Sequence, residues 1–298
     1  GRPPHFFDWA PDAQPESGTA DHKVVDWAAD ELKKPRKQPF FHAVGIFRPH
    51  IPWYAPQKYF DLYPEDKVFL PKIQKDDLQD VPKPGHHGIR KQWHKWLLDN
   101  NEWRGAVRGY LASISFADTQ VGRLINALDK SPHAKNTIIV LWSDHGMHIG
   151  EKQQWEKFTL FEEATRVPLM IVAPGITKAG TACNRPVNLL DVYPTLNELC
   201  GLPVRKDLDG VSLLPLLKNP KATWDRPSIT TWRKGNHAAR GQRYRYIRHP
   251  NGDEQLYDHK TDPDEFTNLA DKPELTGVKQ RLAQWLPKTN ANPVRNKK

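Results

Sequence analysis

No stretch of this sequence reaches the roughly 18–20 consecutive apolar residues needed to cross a bilayer, and nothing over Gly1 to Asp8 has the pattern of a secretory signal. Cysteine is scarce. Cys183 and Cys200 can form one bridge or none, which excludes a disulfide framework and leaves the redox compartment open. Internal repeats are absent, which excludes a repeat architecture. What is there is 298 residues with 38% apolar content, enough to bury a core in one large domain or two smaller ones.

Lysine and arginine outnumber acidic residues 44 to 35, for a formal charge of +9. Clustered, such an excess marks nucleic-acid binding, because neutralised phosphates release counterions. Here the basic residues are scattered, with short clusters only from Lys33 to Lys37 and from Arg240 to Arg248. A solvated basic surface, or a cleft for an anionic small molecule or polysaccharide, accounts for the charge. No nucleic-acid partner is expected.

The first 20 residues read as an irregular loop. Val24, Val25, Ala28 and Leu32 recur at helical spacing from Asp21 to Lys34, with Asp21 as the expected N-cap. Phe40 to Phe47 is a nearly continuous apolar run of strand length. From Trp53 to Gly88 prolines are too frequent for regular elements, and a long aromatic-packed excursion is expected. A long amphipathic helix is predicted from Glu102 to Leu128, then strands at Asn136 to Trp142 and Val167 to Val172 with a short helix between them. Helices alternating with apolar strands predict an α/β fold with a doubly wound, mostly parallel sheet, whose ligands bind beyond the carboxyl ends of the strands. After a helix from Asp191 to Cys200 the pattern changes. Strands at Ser228 to Trp232, Gln242 to Ile247 and Glu254 to Tyr257, then a helix from Glu274 to Leu286, predict a small C-terminal antiparallel sheet plus helix. A boundary near Asn219-Pro220 divides the chain into 1–219 and 220–298.

Two motifs stand at predicted strand ends. In Ser143-Asp144-His145-Gly146, a carboxylate and an imidazole on a tight glycine turn can ligate one cation; an Asp that caps the turn beside a surface His is an equal alternative. A zinc site from His145 and His148 lacks the His-Glu-x-x-His helix, which Gly146 disfavours. In Arg48-Pro49-His50-Ile51-Pro52, two prolines hold one imidazole rigidly, as acid/base work requires; a loop His packed among Trp53 and Tyr54 fits as well. Lys157 follows Trp155 and Glu156, and a lone Lys is usually solvated. His86-His87 reads as a loop pair.

Taken together, Pro39 to Pro52 (PFFHAVGIFRPHIP), Asp118 to Leu124, Ser143 to Lys157 (SDHGMHIGEKQQWEK) with Arg166-Val-Pro-Leu, and Leu256-Tyr257-Asp258 with Asp262 to Leu269 resemble the type I sulfatases of the alkaline phosphatase superfamily, in particular the iduronate-2-sulfatase-like branch. The likeness runs in order from about Val25 to Asn268. It implies an alkaline-phosphatase-like sheet, hydrolysis of sulfate esters, sulfated carbohydrate or another small sulfate ester as partner, and export from the cytoplasm. It also implies that Asp144 and His145 bind Ca2+, that His50 and Lys157 contact the sulfate ester, and that Arg48 and His237 touch the sugar or its carboxylate.

The family also uses a formylglycine made within a C/S-x-P-x-R motif, and an Asp-Asp pair after an early strand. Neither is found here: Cys200-Gly-Leu-Pro203 has an extra residue before Pro, Cys183-Asn-Arg-Pro186 fails as well, and Asp76-Asp77 is placed in a loop. The expectation is therefore the C-terminal part of a sulfatase, with an incomplete sheet and no activity of its own. A phosphodiesterase or phosphonate hydrolase of the same superfamily, and a non-catalytic module that binds sulfated glycans, are the alternatives.

Overall fold

The computed structural model describes residues 3–292. The chain divides into two compact units, one of Gly1–Pro71 with Arg90–Thr137 and one of Lys72–Ile89 with Ile138–Lys298. The boundary expected near Asn219-Pro220 falls inside the second unit.

The first unit contains β1 (Trp9–Asp12), α1 (Ala20–Lys33), β2 (Trp53–Pro56), α2 (Gln57–Phe60), α3 (Lys91–Asp99) and α4 (Trp103–Asp129). The 27 residues of α4 make a rod of about 40 Å. Its buried positions Ala106, Gly109, Ala112, Ser113, Phe116 and Gln120 recur every three or four residues, so one stripe faces inward. Ala112 and Phe116 pack against Ala55, Tyr59 and Phe60 of β2 and α2. At Gly109 the helix meets Trp9, whose Cβ would lie 2.5 Å from any Cβ added there. β1 and β2 pair in parallel, Trp9 opposite Trp53.

In α1, Val25, Ala28 and Leu32 are buried at the expected spacing. The cap differs from expectation. Thr19 is the N-cap, and its hydroxyl accepts the His22 N–H at 3.3 Å. Asp21 already lies in the first turn, and its buried carboxylate reaches outward to accept the amides of Phe47 and Arg48 at 2.7 and 3.0 Å. Phe40 to Phe47 forms no strand: it has no ladder partner among the described residues, and Phe41 and Phe47 are 79% and 55% exposed. The excursion after Trp53 is also more regular than its prolines imply, since it opens with β2 and α2.

The second unit contains β3 (Ile139–Trp142), β4 (His148–Ile149), β5 (Trp155–Glu156), α5 (Glu162–Thr165), β6 (Leu169–Val172), α6 (Val192–Leu199), α7 (Leu214–Lys218), β7 (Ser228–Thr231), β8 (His237–Arg240), β9 (Tyr244–Arg248), β10 (Glu254–Asp258) and α8 (Thr276–Ala283). β3 and β6, both expected as strands, pair antiparallel from Ile139–Val172 to Trp142–Leu169. Four strands in the order β10-β9-β8-β7 form the antiparallel C-terminal sheet. Its core of Ala239, Tyr246, Leu256 and Leu286 is closed by side chains from α8. β8 was not expected, because His-Ala-Ala-Arg carries little strand character on its own.

Beneath that sheet lies a buried ion network. Arg245 on β9 donates to Glu162 and Glu265, Arg240 donates to Glu162, and His259 bonds Glu265. Burial alone would raise Glu265, but Arg245 and His259 bring its carboxyl down to about 2. This pairing satisfies charges that would otherwise be costly to bury. No described helix is long and apolar enough to cross a membrane.

Candidate active site

The Ser143 to Gly146 turn begins where β3 ends. Ser143 Oγ donates to the His145 carbonyl at 2.8 Å, and the Gly146 amide donates to the Ala164 carbonyl of α5 at 2.9 Å. Only glycine fits this approach, since a Cβ on residue 146 would sit 1.9 Å from the Glu163 carbonyl oxygen. His145 Nδ1 lies 2.7 Å from the Gly146 carbonyl. A carbonyl can only accept, so Nδ1 carries the proton and the lone pair of the neutral ring is on Nε2. Nε2 stands 3.7 Å from Asp144 Oδ2, and the Asp144 side chain is exposed. Two ligand atoms at that separation suit one divalent cation, and a backbone carbonyl on the other ring nitrogen is the usual support of a metal-binding His. Were that cation calcium, Asp144 would supply one of its six to eight oxygen ligands, with the His145 nitrogen beside it.

A second group of possible ligands, Glu162, His259 and Glu265, has its donor atoms within 4.8 Å of one another. Its carboxylate oxygens already accept from Arg240 and Arg245, so its negative charge is balanced from within the chain. His148 adds no ligand to the turn. Its ring is buried, Nε2 is 2.8 Å from Thr159 Oγ1, and burial lowers it to about 3.

Lys157 follows β5 and lies half-buried, its ammonium 5.5 Å from the Phe158 ring centre. The chain reaches it through a contorted turn in which Lys152, Gln153 and Glu156 have φ of 55°, 54° and 78°. Lys152 itself is fully buried and donates to Asp77 at 2.6 Å. Burial outweighs the neighbouring ammonium and pushes the Asp77 carboxyl up. Sequence reasoning left Asp77 in a loop and passed over Lys152. Lysine is seldom buried, and nothing local pairs two residues 75 positions apart.

Arg48 and His50 belong to the first unit. Besides the two amides held by Asp21, their loop is fixed by Trp53 Nε1 donating to the Pro49 carbonyl at 2.8 Å. Arg48 Nε donates to the Tyr54 carbonyl at 2.7 Å, and burial pulls its guanidinium below the ordinary range. Exposed His50 has Nδ1 2.7 Å from the Ile51 carbonyl, the tautomer found at His145. His237 lies in β8 of the second unit. It is buried, with Nδ1 2.8 Å from Thr231 Oγ1 and Nε2 2.8 Å from Asn290 Oδ1, so both ring nitrogens are engaged. Asp144 and His145 are thus brought together, and Arg48 and His50 share one loop. His86, expected in a loop, instead ends a short 3₁₀ helix (Lys83–His86) and is bonded to the carbonyls of Leu78 and Val81.

Comparison with known proteins gives this geometry its context. The sulfatase family model matches residues 3–202, and that of the C-terminal part of N-sulphoglucosamine sulphohydrolase matches residues 150–292. A sulfatase of Formosa agariphila is 42% identical over 95% of this chain and 56% of its own length. Human iduronate 2-sulfatase is 34% identical over 68% of this chain and 39% of its own. The chain thus spans about half the length of the curated relatives it matches. Among solved structures, one in complex with its substrate D-glucosamine-2-N,6-O-disulfate has a TM-score of 0.74 at 22% identity, covering 90% of this chain and 68% of that one. A phosphonate monoester hydrolase of Silicibacter pomeroyi reaches 0.81 at 23% identity, covering 94% and 63%. These two likenesses establish the shared α/β, alkaline-phosphatase-like fold. With a family model matched over two thirds of its residues and a close relative along nearly all of it, the chain belongs to the sulfatase family.

Proposed function

We propose that this chain is part of a sulfuric ester hydrolase acting on sulfated sugars, with Asp144 and His145 holding a calcium ion, His50 and Lys157 contacting the sulfate ester, and the formylglycine nucleophile contributed from outside these 298 residues. The observation that carries the proposal is the Ser143 to Gly146 turn. Its glycine is locked against α5, its His tautomer is fixed by the backbone, and its carboxylate stands 3.7 Å from the second donor atom. A bound calcium would neutralise negative charge on sulfate oxygens. Lys157 adds a second positive charge, and His50, with Nδ1 tied to a backbone carbonyl, presents Nε2 as the atom that handles a proton. Arg48 holds the loop of His50 through carbonyl groups, while His237 anchors β8; any contact of either with the sugar is additional to these duties. Export from the cytoplasm belongs to the same reading.

The direct test is calorimetry with calcium on the full-length protein and its Asp144→Ala variant. The variant should lose at least about tenfold in affinity, as loss of a ligand or its support does in metal sites; unchanged affinity removes Asp144 from the site. A second reading, phosphonate ester hydrolysis, has the fold shared with the Silicibacter enzyme in its favour. Turnover of 4-nitrophenyl phenylphosphonate exceeding that of 4-nitrophenyl sulfate would decide for it.

A further inference from the structure

The turn that carries Lys157 is built around a buried ammonium to which the proposed reaction gives no role. Lys152 is 1% exposed. Its Nζ donates to Asp77 Oδ1 at 2.6 Å and to the Glu265 carbonyl, and the rings of Phe161, Tyr257 and Phe266 surround it with centroids at 5.2, 5.8 and 5.2 Å. Asp77 is 4% exposed. Removing both charges from water is expensive, and apolar side chains of similar size commonly fill such a place with no loss of stability. Stability alone is therefore a poor reason to keep the pair.

The backbone around Lys152 supplies a better one. Lys152, Gln153 and Glu156 are three non-glycine residues at positive φ within five positions, and Gly150 before them is at 136°. Residues persist in this region only where their surroundings over-determine them, and they gather at functional sites. The two sides of the turn are joined by the Gly150 amide donating to the Gln154 carbonyl at 3.1 Å, and the Ile149 amide donates to Glu151 at 2.8 Å. Trp155 beside them is fully buried. Lys152 Nζ is thus the point where the segment around Asp77, the strained turn and the segment around Glu265 meet.

We propose that Lys152, paired with Asp77, is a positioning residue that fixes the strained turn from Gly150 to Glu156 and so sets the direction in which Lys157 presents its ammonium. The inference rests on the assignment of Lys157 to the sulfate ester. It separates from a purely stabilising role when both charges are removed together, since the fold should then recover and the alignment should not.

The experiment uses the full-length enzyme, 4-nitrophenyl sulfate as substrate, and the variants Lys152→Met, Asp77→Asn/Lys152→Met and Lys157→Ala. Tm, kcat and KM are measured, together with the 13C shift of the Lys157 N-methyl groups after reductive methylation with 13C-formaldehyde, assigned by its disappearance in Lys157→Ala. The single Lys152→Met variant should lose both Tm and kcat. The double variant should regain most of the Tm while kcat stays at least about tenfold below the parent with a smaller change in KM, since a misplacement of about 1 Å can cost roughly a hundredfold. The Lys157 resonance should move. A double variant with parental kcat and an unmoved resonance overturns the proposal. Should the double variant not fold, the isosteric Asp77→Asn carries the same comparison: lowered kcat with a moved resonance upholds the positioning role, and parental values of both overturn it. If Lys157→Ala retains parental kcat, the ester assignment fails instead. The resonance in the double variant then decides alone, a shift upholding the positioning role and an unmoved line overturning it.

Discussion

A proton on Nδ1 unites His50 and His145. Each ring donates to the carbonyl of the residue that follows it, at 2.7 Å in both cases, so the backbone itself sets which nitrogen faces outward. Both residues were legible in the sequence as motif members; the tautomer was not, because it depends on a rotamer and not on spacing. Glu163 shows the opposite limit. Its neighbour Glu162 is held by two arginines, whereas Glu163 Oε2 is buried with no hydrogen-bond partner, and burial, then the charges of Glu265 and Glu151, push its carboxyl up to about 8. A carboxyl raised in the folded state stabilises fully below its unfolded value of 4.5, and that contribution is lost as pH rises towards 8. The melting temperature should therefore decline over that window, and Glu163→Gln should flatten the decline and melt higher than the parent at pH 8. Parallel pH profiles for the two proteins, followed by differential scanning fluorimetry, would refute the assignment.

Among the elements, α4 separates two kinds of helical glycine. Gly122 has open space where a Cβ would go, whereas at Gly109 the Cβ would press to 2.5 Å from Trp9. Alanine gains up to about 1 kcal/mol over glycine inside a helix, and forcing an extra carbon into a filled site typically costs about 1–3 kcal/mol. Gly122→Ala is accordingly expected to stabilise by roughly 0.5–1 kcal/mol and Gly109→Ala to destabilise, as read from urea unfolding midpoints; equal effects of the two would show that Trp9 yields. The 3.6-residue period announced α4 to within a residue at each end, and β3 and β6 came from runs of Ile, Leu and Val. Phe40 to Phe47 has the same kind of composition, yet a strand also needs a neighbour, which composition does not supply. β8 is the reverse case, a poor strand sequence recruited because β7 and β9 lie on either side of it.

For the whole molecule, exposed apolar surface carries the main prediction. On the paired strands β3 and β6, Trp142, Met170 and Val172 are 50%, 56% and 49% exposed, a concentration of large apolar groups that invites association. The 298-residue chain expressed alone should bind a hydrophobic dye and sediment as concentration-dependent aggregates, and Met170→Lys should disperse them. A monodisperse parent with no dye binding would contradict this. The family was legible from short motifs because metal and anion chemistry demands particular residues in particular order. The Asp77–Lys152 pair was not, since it is made between distant segments.

The other acceptor of Lys152 sets an order of events during synthesis. Lys152 waits for a carbonyl 113 residues further along the chain. At about 5–20 residues per second, Glu265 is added roughly 6–20 s after Lys152, and its exit from the ribosome lags by a similar interval. Through that interval Lys152 lacks one of its two acceptors, and the turn beside Lys157 rests on Asp77, made earlier, and on its own local hydrogen bonds. The segment that follows β10 is then more than an appendage: a later-made part of the chain completes the support of a turn translated long before it.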